Sequence, residues 1–467
     1  MAADRTTLVI LGASGDLTSR LLLPGIATLL RAQPSRSLEI VGADLRDLGQ
    51  DEWRERVRTA MTLAHGAGDD AELGAGARQV VETTRYVAGD ATDATALRAL
   101  LDGVDCDRLV LYFALPPQIS RKVCEALVEV GAPKGAILAI EKPFGSSLAD
   151  ARDLNALVQR IVPEDQIFRI DHFLGLYTVL NLLGMRFANR ILAPLWDRES
   201  IERVEIVYDE TVALEGRAGY YDSAGALRDM IQSHLLQVLA LVAIEPPATV
   251  DARDLRDAIG QVLRAARVED PTRDARRARY TAGRIGERHV PDYVEEESVD
   301  AARGTETLAE VTVHVENQRW AGVPFVLRSG KAMGRIRKQA VIHFREPAHV
   351  PHGFGGRREG DRLVLDFRPD SFAIHLTTNG KGDPFTLEQS VLRGELGGGQ
   401  LEPYGEVLAS ILDGDPRLAV RADAAEECWR IVEPVLRAWK RDEVPLAEYR
   451  AGGTGPRGWA SNGPSKE

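Results

Sequence analysis

The stretch "TLVILGASGDLTSRLLLP" at 7–24 constrains the fold of this chain more than any other. A compact apolar run stops at Gly12, passes through Gly15 and becomes an amphipathic segment. A strand that turns at a glycine directly into a helix aims backbone N–H groups outward at the helix N-terminus, a geometry suited to a phosphate. Against the pattern G-x-G-x-x-G, Ser14 and Leu17 replace the second and third glycines. Taken alone, the turn Gly12, Ser14, Gly15, Asp16, Leu17 fits a cofactor cradle and an ordinary βα connection equally well.

Its setting favours the cradle. "LEIVGAD" (38–44), "RLVLYFAL" (108–115), "AILAIEKPF" (136–144) and "QIFRID" (166–171) are short runs apolar on both faces, as strands buried under helices are. The intervening 18–33 and 146–161 have helical periodicity. Alternating strand and helix over 1–172 predict a doubly wound α/β dinucleotide-binding domain of Rossmann type. The second strand ends at Asp44, with Arg46 two residues on. A carboxylate there accepts from ribose hydroxyls and repels a 2′-phosphate, whereas an arginine attracts one. NAD or NADP is expected as cofactor, NAD mildly favoured. The alternative for Asp44 is a plain turn residue.

Beyond about 190 the pattern changes to period two. "IERVEIVYDETVAL", "ETLAEVTVHVENQRW", "QAVIHFRE", "RLVLDFRP" and "SFAIHLTT" alternate apolar and polar, the mark of antiparallel strands with one covered face. Residues 219–265 read as long helices. An α+β domain built round a sizeable antiparallel sheet is predicted over 173–467. Its Gly/Pro/Ser-rich end, 451–467, reads as a frayed terminus.

A net charge of −12 argues against nucleic acid as a partner. The basic cluster "TRDARRARYTAGR" (272–284) is interrupted by acid and turn residues and reads as a solvated face. No apolar run approaches the roughly 18 residues that span a bilayer, so no membrane partner is expected. The N-terminal segment runs into a strand without a signal-peptide pattern, and a cytoplasmic location is expected. Cys106, Cys124 and Cys428 are odd in number and far apart, so neither a disulfide framework nor a metal site is expected.

Across nearly its whole length the chain resembles the glucose-6-phosphate 1-dehydrogenases. The resemblance rests on "GASGDLTSRLLLP" (12–24), "FALPP" (113–117), "EKPFG" (141–145), "RIDHFLG" (169–175), "RFAN" (186–189), "EGRAGYYDSAGALRDMIQSHLLQ" (215–237), "RWAGVPFVLRSGKAM" (319–333) and "RADAAEECWRIVEPVL" (421–436). It implies oxidation of a pyranose at C1 to a δ-lactone, with hydride passing to a nicotinamide. It also implies a Rossmann-type N-terminal domain, a larger α+β C-terminal domain with an open antiparallel sheet, a homodimer or homotetramer, and a place in glucose metabolism, in the pentose phosphate or Entner–Doudoroff route. By the same resemblance His234 is the general base and Asp171 the carboxylate that orients it. Lys142 lies between sugar and nicotinamide. His172, Glu210, Asp229 and Lys331 bind the sugar, and Pro117 borders the cofactor. A base titrating near neutrality suits removal of the C1 hydroxyl proton, and mixed carboxylates and ammoniums suit a polyol.

The chain departs from the family at the sugar 6-phosphate. The family reads approximately His-Tyr-Leu-Gly-Lys where this chain has His172-Phe173-Leu174-Gly175-Leu176. Leu21 stands where the family usually has lysine, and Ile336 where it has a further basic residue, although Arg335 and Arg337 flank it. Each change turns a donor into hydrocarbon. The expectation drawn from them is a non-phosphorylated or 6-modified glucose as substrate. One alternative is a true glucose-6-phosphate 1-dehydrogenase with the clamp rebuilt from Arg335, Arg337 or another basic side chain. The other is a non-catalytic dinucleotide-binding paralogue, against which the retained Asp171, His234, Lys142 and Lys331 argue.

Overall fold

The structure, a computed structural model, describes residues 5–64, 73–216, 218–356, 359–399 and 401–459. The chain forms two compact units. The first comprises Met1–Leu176, Pro247–Asp257 and Gly399–Glu426, and the second comprises Tyr177–Pro246, Ala258–Gly398 and Glu427–Glu467. The predicted division at 172/173 is close for the first crossing, but two later segments return to the first unit. The physical reason is local. Ala419–Val420 pairs antiparallel with the strand Ile167–Ile170. The helix Pro403–Asp413 buries Val407, Leu408, Ile411 and Leu412 in the same cluster as Leu23 and Ile26.

In the first unit, β1 (Thr6–Leu11), β2 (Leu38–Asp44), β3 (Arg85–Ala88), β4 (Arg108–Phe113), β5 (Ile137–Glu141) and β6 (Ile167–Ile170) are parallel, in the spatial order 3-2-1-4-5-6. Alternate residues feed opposite layers. Leu8 and Ile10 enter the cluster with Ile26 and Leu408, while Val9 and Leu11 enter the one with Leu97, Val123 and Leu127. Both faces of β1, β2 and β4–β6 are covered, which is why these strands are largely apolar. The predicted 18–33 helix begins as a π-helical turn, Thr18–Leu22, before the α-helix Leu23–Ala32.

Among the described residues, the second unit is built on an 11-stranded sheet. At its centre β7 (Ile201–Asp209) lies between Pro324–Gly330, which runs parallel to it, and Arg337–Phe344, which runs antiparallel. Most pairings are antiparallel. The exceptions besides the central one are Gly355–Gly356 with Thr386–Glu395 and Leu446–Arg450 with Ala275–Thr281. The predicted 219–265 helices resolve into Ala218–Ala226, the π-helix Leu227–Leu235, Leu236–Ala243 and, after a break, Ala252–Ala265. The basic cluster is not wholly a solvated face. Arg277 lies buried in a strand, donating to the Val444 carbonyl and pairing with Asp442. Nor does the terminus fray over 451–454. Ala451 N–H donates to Thr281 O, Gly452 N–H to Ala332 O, and the Thr454 carbonyl accepts from Arg328. A Cβ on Gly452 (φ +84°) would lie 1.8 Å from the Arg284 oxygen, so only glycine permits this approach. Residues 460–467 lie outside the described residues.

Candidate active site

The first unit carries the turn at the end of β1, beside β4, where the strand order reverses. Gly12 has φ +89°, and a Cβ there would sit 2.3 Å from the Ala114 carbonyl oxygen. The Thr18 hydroxyl donates back to Gly12 O at 3.2 Å, closing the turn onto the helix it opens. The glycines let the backbone approach closely at this helix start, as a dinucleotide pyrophosphate requires, while the Gly12 and Gly15 N–H groups themselves donate to the Ala43 and Gly12 carbonyls. Asp16 is exposed on the turn, and Pro117 is exposed at the start of the helix Pro117–Val130.

Asp44 stands at the end of β2 as expected, and its carboxylate has backbone work. Oδ2 accepts the Ser14 N–H at 3.0 Å and Oδ1 the Arg46 N–H at 3.3 Å. It therefore fastens the glycine turn to the second strand. Arg46 is exposed, with its carbonyl accepting from the Tyr86 hydroxyl. Arg56, which sequence reasoning missed, reaches the Ser14 carbonyl at 3.3 Å from the next helix. Its helical spacing to Glu52 reads as a surface ion pair, which it also makes.

At the end of β5, Glu141 precedes Lys142. The Tyr112 hydroxyl donates to Glu141 Oε1 at 2.6 Å, and the Tyr404 hydroxyl donates to the same oxygen at 3.4 Å. Burial pushes the Glu141 carboxyl up to about 7, against the lowering influence of Tyr112, Lys142 and Tyr404. At the end of β6, Asp171 is 2% exposed, and its Oδ1 accepts the Phe173 N–H at 2.9 Å, capping the short 3₁₀ turn His172–Gly175. His172 is half-buried. Phe173 (1% exposed) and Leu176 (7%) are core residues of this turn.

The second unit carries the remaining residues. Glu210 follows β7 and is flanked by topology. Lys331, after Pro324–Gly330, donates to Oε2 at 3.1 Å, and Lys338, on Arg337–Phe344, donates to Oε1 at 2.9 Å. Burial would raise the Glu210 carboxyl, but the two ammoniums outweigh it and hold it below the usual range. Lys338 was missed in the sequence. It sits opposite Tyr208 in the sheet register, one residue past the arginines that drew attention. Arg337 is half-buried, its guanidinium 3.8 Å from Asp209, whose two carboxylate oxygens both accept from the buried Arg328 Nε. Arg335 and Ile336 are exposed.

His234 (1% exposed) and Asp229 lie on the π-helix Leu227–Leu235, the acid in its first turn and the imidazole in its last. The Tyr220 hydroxyl donates to Asp229 at 3.4 Å. The start of this helix rests on Glu306, another residue missed in the sequence. Its buried Oε1 accepts the Leu227 N–H at 2.9 Å, and Gly225 (φ +69°) leaves room for the carboxylate, which a Cβ would meet at 2.4 Å. From Glu306 the chain leads to Thr307. Its hydroxyl meets the Tyr449 hydroxyl at 2.8 Å, and the latter donates to Lys331 O at 2.7 Å. The helix that carries His234 and the lysine–glutamate cluster thus share one buried support.

Comparison with known proteins follows the same division. Residues 9–181 match the family described as glucose-6-phosphate dehydrogenase, NAD binding domain, and residues 183–462 match glucose-6-phosphate dehydrogenase, C-terminal domain. The chain is 40% identical to glucose-6-phosphate 1-dehydrogenase of Gluconobacter oxydans, over 96% of this chain and 94% of that protein. It is 36% identical to the Treponema pallidum enzyme, over 96% and 92%. Among solved structures it is similar to a glucose-6-phosphate dehydrogenase in complex with its substrate glucose-6-phosphate. That match has a TM-score of 0.87 and 29% identity, over 98% of this chain and 96% of that one. The Mycobacterium avium enzyme gives 0.84 and 33%, over 97% and 96%. The chain therefore belongs to the glucose-6-phosphate dehydrogenase family of NAD(P)-dependent oxidoreductases.

Proposed function

We propose that this chain oxidises C1 of glucose 6-phosphate to the δ-lactone. The observation that carries this reading is identity of 33–40% to several curated glucose-6-phosphate 1-dehydrogenases along nearly the whole chain. The nicotinamide supplies a hydride acceptor when bound. His234 takes the proton of the C1 hydroxyl as the C1–H bond breaks, and Asp171 holds the imidazole in the tautomer that accepts it. The Asp171 backbone contact through Oδ1 supports that role, since a carboxylate tied at one oxygen has a fixed orientation. Glu210, set between Lys331 and Lys338, stays ionised and accepts from sugar hydroxyls together with Asp229. Lys142 donates to the sugar, and His172 binds near its 6-position. The working assembly is a homodimer or homotetramer. No helix among the described residues is long and apolar enough to cross a membrane.

A second reading, oxidation of non-phosphorylated or 6-modified glucose, is favoured by the burial of Phe173 and Leu176 and by the pairing of Arg337 with Asp209. Each missing charge-assisted bond removes roughly 1.5–3 kcal/mol of grip on a phosphate. Steady-state rates with glucose and glucose 6-phosphate, each with NAD and NADP, decide. A kcat/KM at least tenfold higher for glucose 6-phosphate supports the first reading, and a preference for glucose replaces it with the second. Preference for NAD is expected from Asp44, and a strong preference for NADP would assign the pocket to Arg46 and Arg56.

A further inference from the structure

The helix Pro403–Asp413 is pressed onto its neighbours in the first unit through glycines. A Cβ on Gly175 would lie 2.4 Å from the Pro403 carbonyl oxygen, and one on Gly25 would lie 3.3 Å from the Tyr404 Cβ. A Cβ on Gly405 would meet Thr28 Oγ1 at 3.0 Å. These approaches leave the first turn of the helix one seating, so Tyr404 departs from it in a fixed direction. Its ring lies stacked over the His172 imidazole, with centroids 5.5 Å apart and planes 15° apart. Phe173 closes the same imidazole edge-on, at 5.1 Å and 66°. The Tyr404 hydroxyl meets Glu141 Oε1, the oxygen that Tyr112 also binds, at the strand end that leads into Lys142.

One phenol therefore joins the His172 turn to the end of β5. We propose that Tyr404 is a substrate-positioning residue, which holds the His172 imidazole by stacking and is itself held by Glu141. The inference rests on the reading above that His172 faces the sugar. A half-buried imidazole turns broadly about χ2 unless something packs against its face. A stacked phenol restricts that rotation and keeps the ring edge directed at one place. An aromatic residue from a distant segment thus steadies the histidine beside Phe173.

The test is a double-mutant cycle. Tyr404→Leu keeps bulk and removes the stack. It should raise the sugar KM between about threefold and tenfold, leave kcat within about threefold, and leave the cofactor KM unchanged. Tyr404→Phe, which keeps the stack, should recover most of the loss. In a His172→Asn background, Tyr404→Leu should have less than about a twofold further effect, because the stacked imidazole through which it acts is gone. Equal effects in both backgrounds, or a change confined to kcat, would overturn the proposal. A readout independent of turnover is the ring-proton resonance of His172 in histidine-labelled protein, assigned with the His172→Asn variant. Loss of the stacked phenol should move it, and an unmoved resonance in Tyr404→Leu refutes the stack. Failure of the unmodified chain to oxidise any sugar would instead refute the functional reading, while the resonance test of the stack still stands.

Discussion

Replacing Glu141 with glutamine should change how stability depends on pH. The Glu141 carboxyl is raised from an ordinary 4.5 to about 7 in the folded chain. Below about pH 4.5 it carries its proton in both folded and unfolded chains and makes no pH-dependent difference. Between 4.5 and 7 the unfolded chain gives up the proton and the folded chain keeps it. Stability therefore falls as pH rises, by about 1.4 kcal/mol per unit. Over this window of two and a half units the loss comes to about 3 kcal/mol. Above about 7 the loss is complete. Glutamine keeps an acceptor for Tyr112 and does not titrate. The difference in urea-unfolding free energy between the two proteins should therefore move by about 3 kcal/mol in favour of Glu141→Gln from pH 5 to pH 8. A difference that stays flat across the range would show that the carboxyl is not desolvated, and the account of the β5 end would fail with it.

Other expected outcomes follow from the same geometry. His234→Asn should lower turnover by roughly 10²–10⁴-fold with little change in cofactor binding, as losing a general base does; steady-state rates and dinucleotide titration check both. Glu306→Ala strips the buried acceptor from the Leu227 N–H and opens a void, and should cost about 2–4 kcal/mol in urea unfolding. Glu306→Gln should recover most of that, and equal losses in the two variants would remove the cap from the account. Because Leu176 is buried, Phe173→Tyr with Leu176→Lys should lower thermal stability. The double variant should regain part of it in glucose 6-phosphate but not in glucose, and equal gains with the two sugars would show that these positions do not face the phosphate.

The parallel strands were readable because both faces of β1, β2 and β4–β6 are covered and the sequence there is almost uninterrupted hydrocarbon. β3 was not. Its four residues, Arg85–Ala88, lie at an edge and are only half-buried. Ala419–Val420 is too short for any period to register, yet it draws a C-terminal segment into the first unit. Candidate site residues stand out in the sequence where they are adjacent, as Asp171 and His172 are. Lys338, Glu306 and Tyr404 do not, because each matters through a partner far along the chain, Glu210, Leu227 and His172 respectively. The π-helical winding of 227–235 was also hidden, since a few i→i+5 bonds leave the apolar spacing close to that of an α-helix. The frayed-terminus expectation for 451–454 failed because glycine there serves close approach.

The pairing of Ala419–Val420 with β6 bears on how the chain is made. About 250 residues separate the two strands, and at about 5–20 residues per second a ribosome needs roughly 12–50 s to cross that interval. Throughout, the outer edge of β6 has no sequence-later strand to cover it, and such an edge is a template for foreign strands. A message broken off before codon 419 would release a polypeptide with that edge permanently bare. Closing that edge therefore waits on the C-terminal segment.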